Sequence, residues 1–306
     1  MKMRQSALQR NPVLSSSRSA RMTTPFAVSP SIAAPTVTGK NRDTENFPVG
    51  SLLIRPDLRH HVHAYYNFAR AADDISDDPL LDANEKICRL DRFAAALGDD
   101  NVDDIPEVAA LRRSLRETGV SPQHSLDLLT AFKRDATKLR YRNWDDLLDY
   151  CRYSASPVGR HVLALHGIGE EAWPANDALC SALQIINHIQ DCADDYREHD
   201  RVYIPQDMLA RRGGTLSDLA GSASTETLAA TLRDMLDAMG PMMAVARGLP
   251  RAVPDARLKC ETSVIVVLAE RLIALLQRRD PLCDNVKLNK FQKISALLTG
   301  LVRAWL

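Results

Sequence analysis

In the stretch YYNFARAADDISDD (residues 65–78), four aspartates occupy the last six positions, directly after an alanine-rich run. On a helix turning 100° per residue, Tyr66, Arg70, Asp73 and Asp77 fall within about 60° of one another, and Asp74 flanks that stripe. Carboxylates at i and i+4 have Cβ atoms about 5–6 Å apart and project the same way, which is unfavourable unless a cation serves them. A second cluster lies in LQIINHIQDCADDYREHDRVYIP (residues 183–205), where Gln184, Asn187, Asp191 and Asp195 follow spacings of 3, 4 and 4. Its neighbours Leu183, Ile185, Ile186 and Ile189 predict a well-buried helix carrying one polar line. Buried amides and carboxylates need partners, because unpaired burial is costly. Two such helices face to face present four carboxylates across a cavity. Oxygen-only donors at this density suit Mg²⁺, which keeps several waters and is completed by substrate phosphates. DDISDDP alone reads as a solvated helix end; the aligned Asn187 and Gln184 favour a metal site for the pair.

These clusters require helices to hold them. From Asn46 onward, RLDRFAAAL, ALRRSLRET, HSLDLLTAFKRDATKL and TLAATLRDMLDAMGPMMAVARGL all place apolar residues three and four apart, the helical period. Pro and Gly fall between such runs, in TGVSPQ, GIGEEAWP and RRGGT, where breaks are expected. No run of alternating β-branched residues occurs, and RVYIP (residues 201–205) predicts one short extended piece that Pro205 ends. The pattern predicts an all-α domain over residues 43–306 with roughly nine or ten helices. Basic and acidic side chains balance at 39 each, so no charge argument points to nucleic acid as a partner. The six cysteines (Cys88, Cys151, Cys180, Cys192, Cys260, Cys283) are scattered, as expected of reduced thiols in a cytoplasmic protein. Residues 1–42 are rich in Ser, Pro, Thr and Arg and hold no acidic residue, which predicts a leader or a disordered segment. SVIVVLAERLIALL is the most apolar run, but Glu270 and Arg271 interrupt it and it is too short to span a bilayer.

In their order along the chain, these motifs resemble the squalene/phytoene synthase family, the head-to-head prenyl synthases. DDISD (Asp73–Asp77) and DCADD (Asp191–Asp195) match the family's two DxxxD motifs. FARAADD, YCRYSASPVG (residues 150–159), RVYIP and the end VKLNKFQKISALLTGL extend the likeness to about residues 43–303. The resemblance implies the isoprenoid synthase fold, a single helical domain around a central cavity, with three Mg²⁺ ions binding a diphosphate. It implies that Asp73, Asp77, Asp191 and Asp195 bind metal, with Asn187 completing the second cluster. Arg70 then holds diphosphate oxygens, and Tyr66, Arg201 and Tyr203 line the same polar mouth. Tyr150, Ala155 and Gly159 match the helix that kinks beside the bound prenyl chain. Gln184 and Gln190 are further candidates for substrate contact. Ionising an allylic diphosphate requires neutralising the leaving group, and the cation formed requires an apolar, water-poor cavity. Phe47, Phe68 and Tyr150 are candidates to stabilise that cation through their π faces.

Within the family, ENFPVGS (residues 45–51) is similar to the opening of bacterial hopanoid-pathway enzymes that turn presqualene diphosphate into hydroxysqualene. That likeness implies ionisation, rearrangement and capture by water, without NADPH. It also implies functional coupling to a presqualene diphosphate synthase and a hydroxysqualene reductase. Phytoene-type relatives carry Arg just before the second motif, whereas this chain has Gln190, which suits one diphosphate substrate rather than two; Gln190 and His188 are also placed to orient the capturing water. The alternative within the family is head-to-head condensation of two farnesyl or geranylgeranyl diphosphates to presqualene diphosphate, squalene, dehydrosqualene or phytoene. DDISD also satisfies the DDxxD of chain-elongating synthases, and a non-catalytic relative is a further reading. Lys287, Lys290 and Lys293 beside the apolar end predict peripheral contact with an anionic membrane face.

Overall fold

The computed structural model describes residues 53–306, so Phe47, ENFPVGS and the leader lie outside the described residues. The helices are α1 (Arg59–Asp77), α2 (Ala83–Gly98), α3 (Pro106–Thr118), α4 (Gln123–Asp135), α5 (Trp144–Ser154), α6 (Ser156–Leu165) and α7 (Trp173–Gln190). They continue with α8 (Cys192–His199), α9 (Gln206–Arg211), α10 (Glu226–Ala238), α11 (Gly240–Ala246), α12 (Leu249–Ala252), α13 (Ala256–Leu276) and α14 (Lys290–Arg303). No strand occurs among the described residues; the one isolated bridge pairs Arg140 with Val202, inside the extended piece expected at RVYIP. The fold is all-α.

Periodicity places the core. In α1 the buried residues Val62, Tyr65, Phe68, Ala69, Ala72, Asp73 and Ser76 recur three and four apart, and the helix stops at Asp77 because Asp78 precedes Pro79. Asp255 accepts hydrogen bonds from the Arg257 and Leu258 N–H groups and so caps α13, and Asn289 with Gln292 forms a capping box at α14. Two apolar clusters result. One joins α1–α4 through Phe68, Leu90, Leu111 and Leu128, and the other surrounds α7 and α13 through Ile185, Met235, Val264 and Leu268. An apolar cavity of about 100 Å³ lies where the clusters meet, between Val62 of α1, Gly159 of α6, Leu183 of α7 and Leu258 of α13.

The described residues hold fourteen helices where the periodic pattern predicts fewer, because three apparent runs are broken. Ala155 separates α5 from α6 ahead of Pro157, and Met239 separates α10 from α11 ahead of Pro241. Proline cannot donate to the preceding turn and disfavours the helical conformation just before it. The third break, at Asp191, has no proline. There the Asp191 N–H still donates to Asn187 O and the Asp195 N–H to Asp191 O, both at 2.8 Å. The polar line of α7 therefore continues into α8.

The last helix packs on α13 through Gly300, where a Cβ would lie 2.5 Å from Val264 Cα, and Ser263 Oγ donates to Gly300 O at 2.7 Å. Its outer face leaves Phe291, Ile294, Leu298, Val302 and Trp305 exposed. No helix among the described residues is long and apolar enough to cross a membrane.

Candidate active site

The helix α1 brings Tyr66, Arg70, Asp73 and Asp77 onto one stripe, as their spacing predicts. Arg70 Nη2 pairs with Asp74 at 2.7 Å and Nη1 lies 3.5 Å from Asp73. Asp73 is buried, and its Oδ1 has no hydrogen-bond partner. Burial and the neighbouring Asp77 push its carboxyl well above the usual range. A buried, unsatisfied carboxylate oxygen beside a second carboxylate is unfavourable as protein alone and suits a cation.

Arg201 ties the two aspartate motifs together. The chain leaves α8 through Asp200, whose φ of 51° is left-handed and whose carboxylate and carbonyl both accept hydrogen bonds from Arg140. That reversal lets the Arg201 N–H donate to Asp195 O at 3.0 Å. The Arg201 side chain pairs with Asp77 at 2.6 Å and donates to Ser76 O at 3.1 Å and to Asp135 O at 3.2 Å.

Asp135, at the end of α4, was not among the residues marked by sequence. It is buried and accepts from Tyr150 Oη at 2.7 Å and Tyr203 Oη at 3.0 Å. Burial raises its carboxyl above the ordinary value, opposed by Arg201 and by the two phenols. Tyr203 in turn stacks on His188, with ring centroids 3.6 Å apart. Burial lowers His188 to about 3, so the ring is neutral. Gln184 Nε2 lies 3.1 Å from His188 Nε2; with the amide as donor, His188 carries its proton on Nδ1, which lies 3.9 Å from Asp195. Gln184 thus orients His188.

Gln190 points elsewhere. Its Nε2 donates to Val286 O in the segment before α14, so it is not among the groups gathered at the mouth, because the side chain satisfies a loop carbonyl instead. Asn187 is half-buried one turn before Asp191. Ala155 is the bend between α5 and α6, and Gly159 one turn later lets α6 press against α7. A Cβ at 159 would fall 2.6 Å from Cys180 Sγ and closer still to Asn176 Oδ1. Gly159 and Tyr66 both line the apolar cavity, so the stripe that carries the aspartates continues into its wall.

Two other features compete on size or ligand type. A cleft of about 830 Å³ opens between α11–α12, α13 and the chain end, but its one buried-side carboxylate, Glu270, is already paired with Arg247 and Arg303. It lacks a free acid pair. Three groups that are able to share one ion, His60, His61 and Glu117, do gather at the start of α1, where the sequence reads RHHVH. Glu117 comes from α3, so spacing could not reveal it. They sit about 18 Å along α1 from Asp73. Among the described residues, no three acidic groups of the aspartate motifs have oxygens within 4.8 Å of one another.

Known proteins resemble this chain in sequence and fold. The squalene/phytoene synthase family matches residues 40–292. The hydroxysqualene synthase of Rhodopseudomonas palustris is 45% identical over 258 residues, 84% of this chain and 88% of that protein. That of Zymomonas mobilis is 41% identical, covering 86% of this chain and 89% of its own length. Among solved structures, squalene synthase HpnC from Alicyclobacillus acidocaldarius superposes with a TM-score of 0.69 at 32% identity, over 78% of this chain and 90% of that one. A dehydrosqualene synthase superposes with a TM-score of 0.71 at 21% identity, over 85% of this chain and 91% of that one, which shows the shared fold. A match of this extent, with helices retraced over most of the chain, places the protein in the squalene/phytoene synthase family.

Proposed function

We propose that the chain converts presqualene diphosphate to hydroxysqualene, with Mg²⁺ as its metal. The observation that carries this reading is the pair of aspartate motifs bridged by Arg201, on helices whose Tyr66 and Leu183 line an apolar cavity, in a chain 41–45% identical to hydroxysqualene synthases. Asp73 and Asp77 on α1, with Asp191, Asp195 and Asn187 on α7–α8, are the groups that would hold the metal. Bound there, Mg²⁺ would supply positive charge to the departing diphosphate. Arg70 binds diphosphate oxygens beside them, and Tyr66 closes the boundary between polar mouth and apolar cavity. Arg201 holds Asp77 and the α8 end in register, while Asp135 fixes the phenols of Tyr150 and Tyr203. Past Gly159 the walls are mostly apolar, so a cation formed at the mouth is kept from bulk water.

Hydroxysqualene formation requires no hydride, and the reading therefore needs no NADPH. A presqualene diphosphate-forming enzyme supplies the substrate and a reductase consumes the alcohol. Both substrate and product are lipids, and the exposed face of α14 with Lys287, Lys290 and Lys293 supports docking on the inner face of an anionic membrane.

The purified protein is incubated with presqualene diphosphate or with farnesyl diphosphate, with Mg²⁺ and without NADPH. Hydroxysqualene from the first substrate is expected, and conversion of farnesyl diphosphate alone overturns the reading. Asp73→Asn and Asp191→Asn each lower turnover by about a hundredfold or more, with thermal midpoints near wild type. Unchanged Mg²⁺-dependent turnover in both would remove these residues from the metal site.

A further inference from the structure

Water capture poses a problem that the apolar cavity does not solve by itself. The nucleophile must be held inside a chamber built to exclude it, and the protonated alcohol must lose a proton there. Apolar cavities of this size stay dry unless polar groups hold the water. One wall residue meets the requirement. Glu261 lies on α13 at the spacing Leu258, Glu261, Thr262, Ile265, all four of which line the cavity. It is 5% exposed, and its Oε2 has no hydrogen-bond partner. Leaving a buried carboxyl unsatisfied in an apolar wall costs stability, and no packing need requires an acid there. A leucine or methionine would fill the same face.

We propose that Glu261 is the catalytic base of water capture: it holds the water that attacks the rearranged carbocation and accepts its proton. The inference rests on the hydroxysqualene reading and assigns a residue within that site. The carbon–oxygen bond to diphosphate breaks with both electrons leaving on diphosphate, and the carbon skeleton rearranges as a cation. A lone pair of the held water forms the new carbon–oxygen bond, and one proton of the resulting oxonium passes to the Glu261 carboxylate. No oxidant or reductant is needed. Burial raises the Glu261 carboxyl well above its ordinary range and favours the neutral form at rest, and the cation formed nearby favours the ionised form that takes the proton. Thr262 is not an equivalent candidate, because its hydroxyl already donates to Lys259 O at 3.1 Å.

The experiment compares wild type, Glu261→Gln and Glu261→Met in holoenzyme supplied with Mg²⁺ and presqualene diphosphate, measuring diphosphate release and the share of carbon recovered as alcohol. Both variants are expected to release diphosphate within about threefold of wild type while the alcohol share falls tenfold or more, the balance appearing as hydrocarbons formed by proton loss. The Glu261→Met thermal midpoint is expected to equal or exceed that of wild type, because an unpaired acid has been removed. An unchanged alcohol share in Glu261→Gln overturns the assignment and leaves the hydroxysqualene reading standing. Loss of diphosphate release together with a lowered midpoint in both variants also overturns it, in favour of a structural role. If wild type itself makes no alcohol from presqualene diphosphate, both readings fall.

Discussion

Asp135 receives two phenolic hydrogen bonds, from Tyr150 and Tyr203, while its own backbone carbonyl receives Arg201. Two phenols, one from α5 and one from the segment after α8, therefore converge on a single carboxylate of α4. Removing its charge while keeping its shape tests whether those phenols act together. Asp135→Asn is expected to destabilise by about 1–3 kcal/mol, the usual cost of an imperfectly satisfied buried group, and to lower turnover by about tenfold or more. Combined with Tyr150→Phe, the loss should be smaller than the sum of the two single losses; strict additivity would show that the cluster is not a unit. Nothing in KRDATKL marks Asp135, which stands between Arg134 and Ala136 like any surface acid. Its burial is made by residues 15 and 68 positions downstream, and no local pattern carries that. The aspartates at 73, 77, 191 and 195 were legible because each pair repeats at helical spacing. Glu261 also had a signal, an acid on an apolar face of α13, but it lies just outside the most apolar run and is easily counted as its solvated start.

At the level of helices, periodicity identified the segments and proline identified most of their breaks. It could not identify the break at Asp191, which keeps the hydrogen-bond ladder in step on either side. The kinked helix α6 adds a feature with a pH consequence. His161 is fully buried, neither ring nitrogen has a partner, and the ring stacks on Tyr65 of α1 at 4.0 Å. Burial, with His124 and His61 nearby, lowers its pKa to about 3. The unfolded chain takes up a proton on this ring below about pH 6.5 and the folded chain does not. Its contribution to stability is complete above that pH and is lost as the pH falls toward 3, at up to about 1.4 kcal/mol per pH unit. His161→Phe is expected to move the acid-unfolding midpoint to lower pH, as followed by circular dichroism. A midpoint that stays in place would assign acid sensitivity to other groups.

Across the whole molecule, the proposed chemistry and the proposed lipid contact would occupy opposite faces of the α13–α14 pair. Along α14, Phe291 and Trp305 are 84% and 67% exposed, too much for residues that belong to the core. Residues 290–306 contain no acid, and with Arg303 paired to Glu270 it is Lys290 and Lys293 that would complement an anionic surface. A Phe291→Asp, Leu298→Asp double variant is expected to bind anionic phosphatidylglycerol vesicles at least tenfold more weakly in sedimentation, with unchanged turnover of detergent-dispersed substrate. Lys290→Gln with Lys293→Gln should weaken binding to anionic vesicles but not to neutral ones, each lysine contributing about 1 kcal/mol. Equal binding by all variants would remove α14 as the docking face, and a wild-type dimer that the aspartates convert to monomer would assign the stripe to a second copy instead.

The glycine at 300 gives this arrangement a mechanical meaning. With no side chain at the crossing and Ser263 bonded to its carbonyl, the last two helices have no slack between them. Ser263 stands two residues from Glu261 on the same helix. On the docking proposed for α14, a load on Leu298 would reach the wall that carries Glu261 through this close crossing. Lateral pressure in a supporting bilayer would then be a variable of the proposed chemistry, transmitted through one glycine.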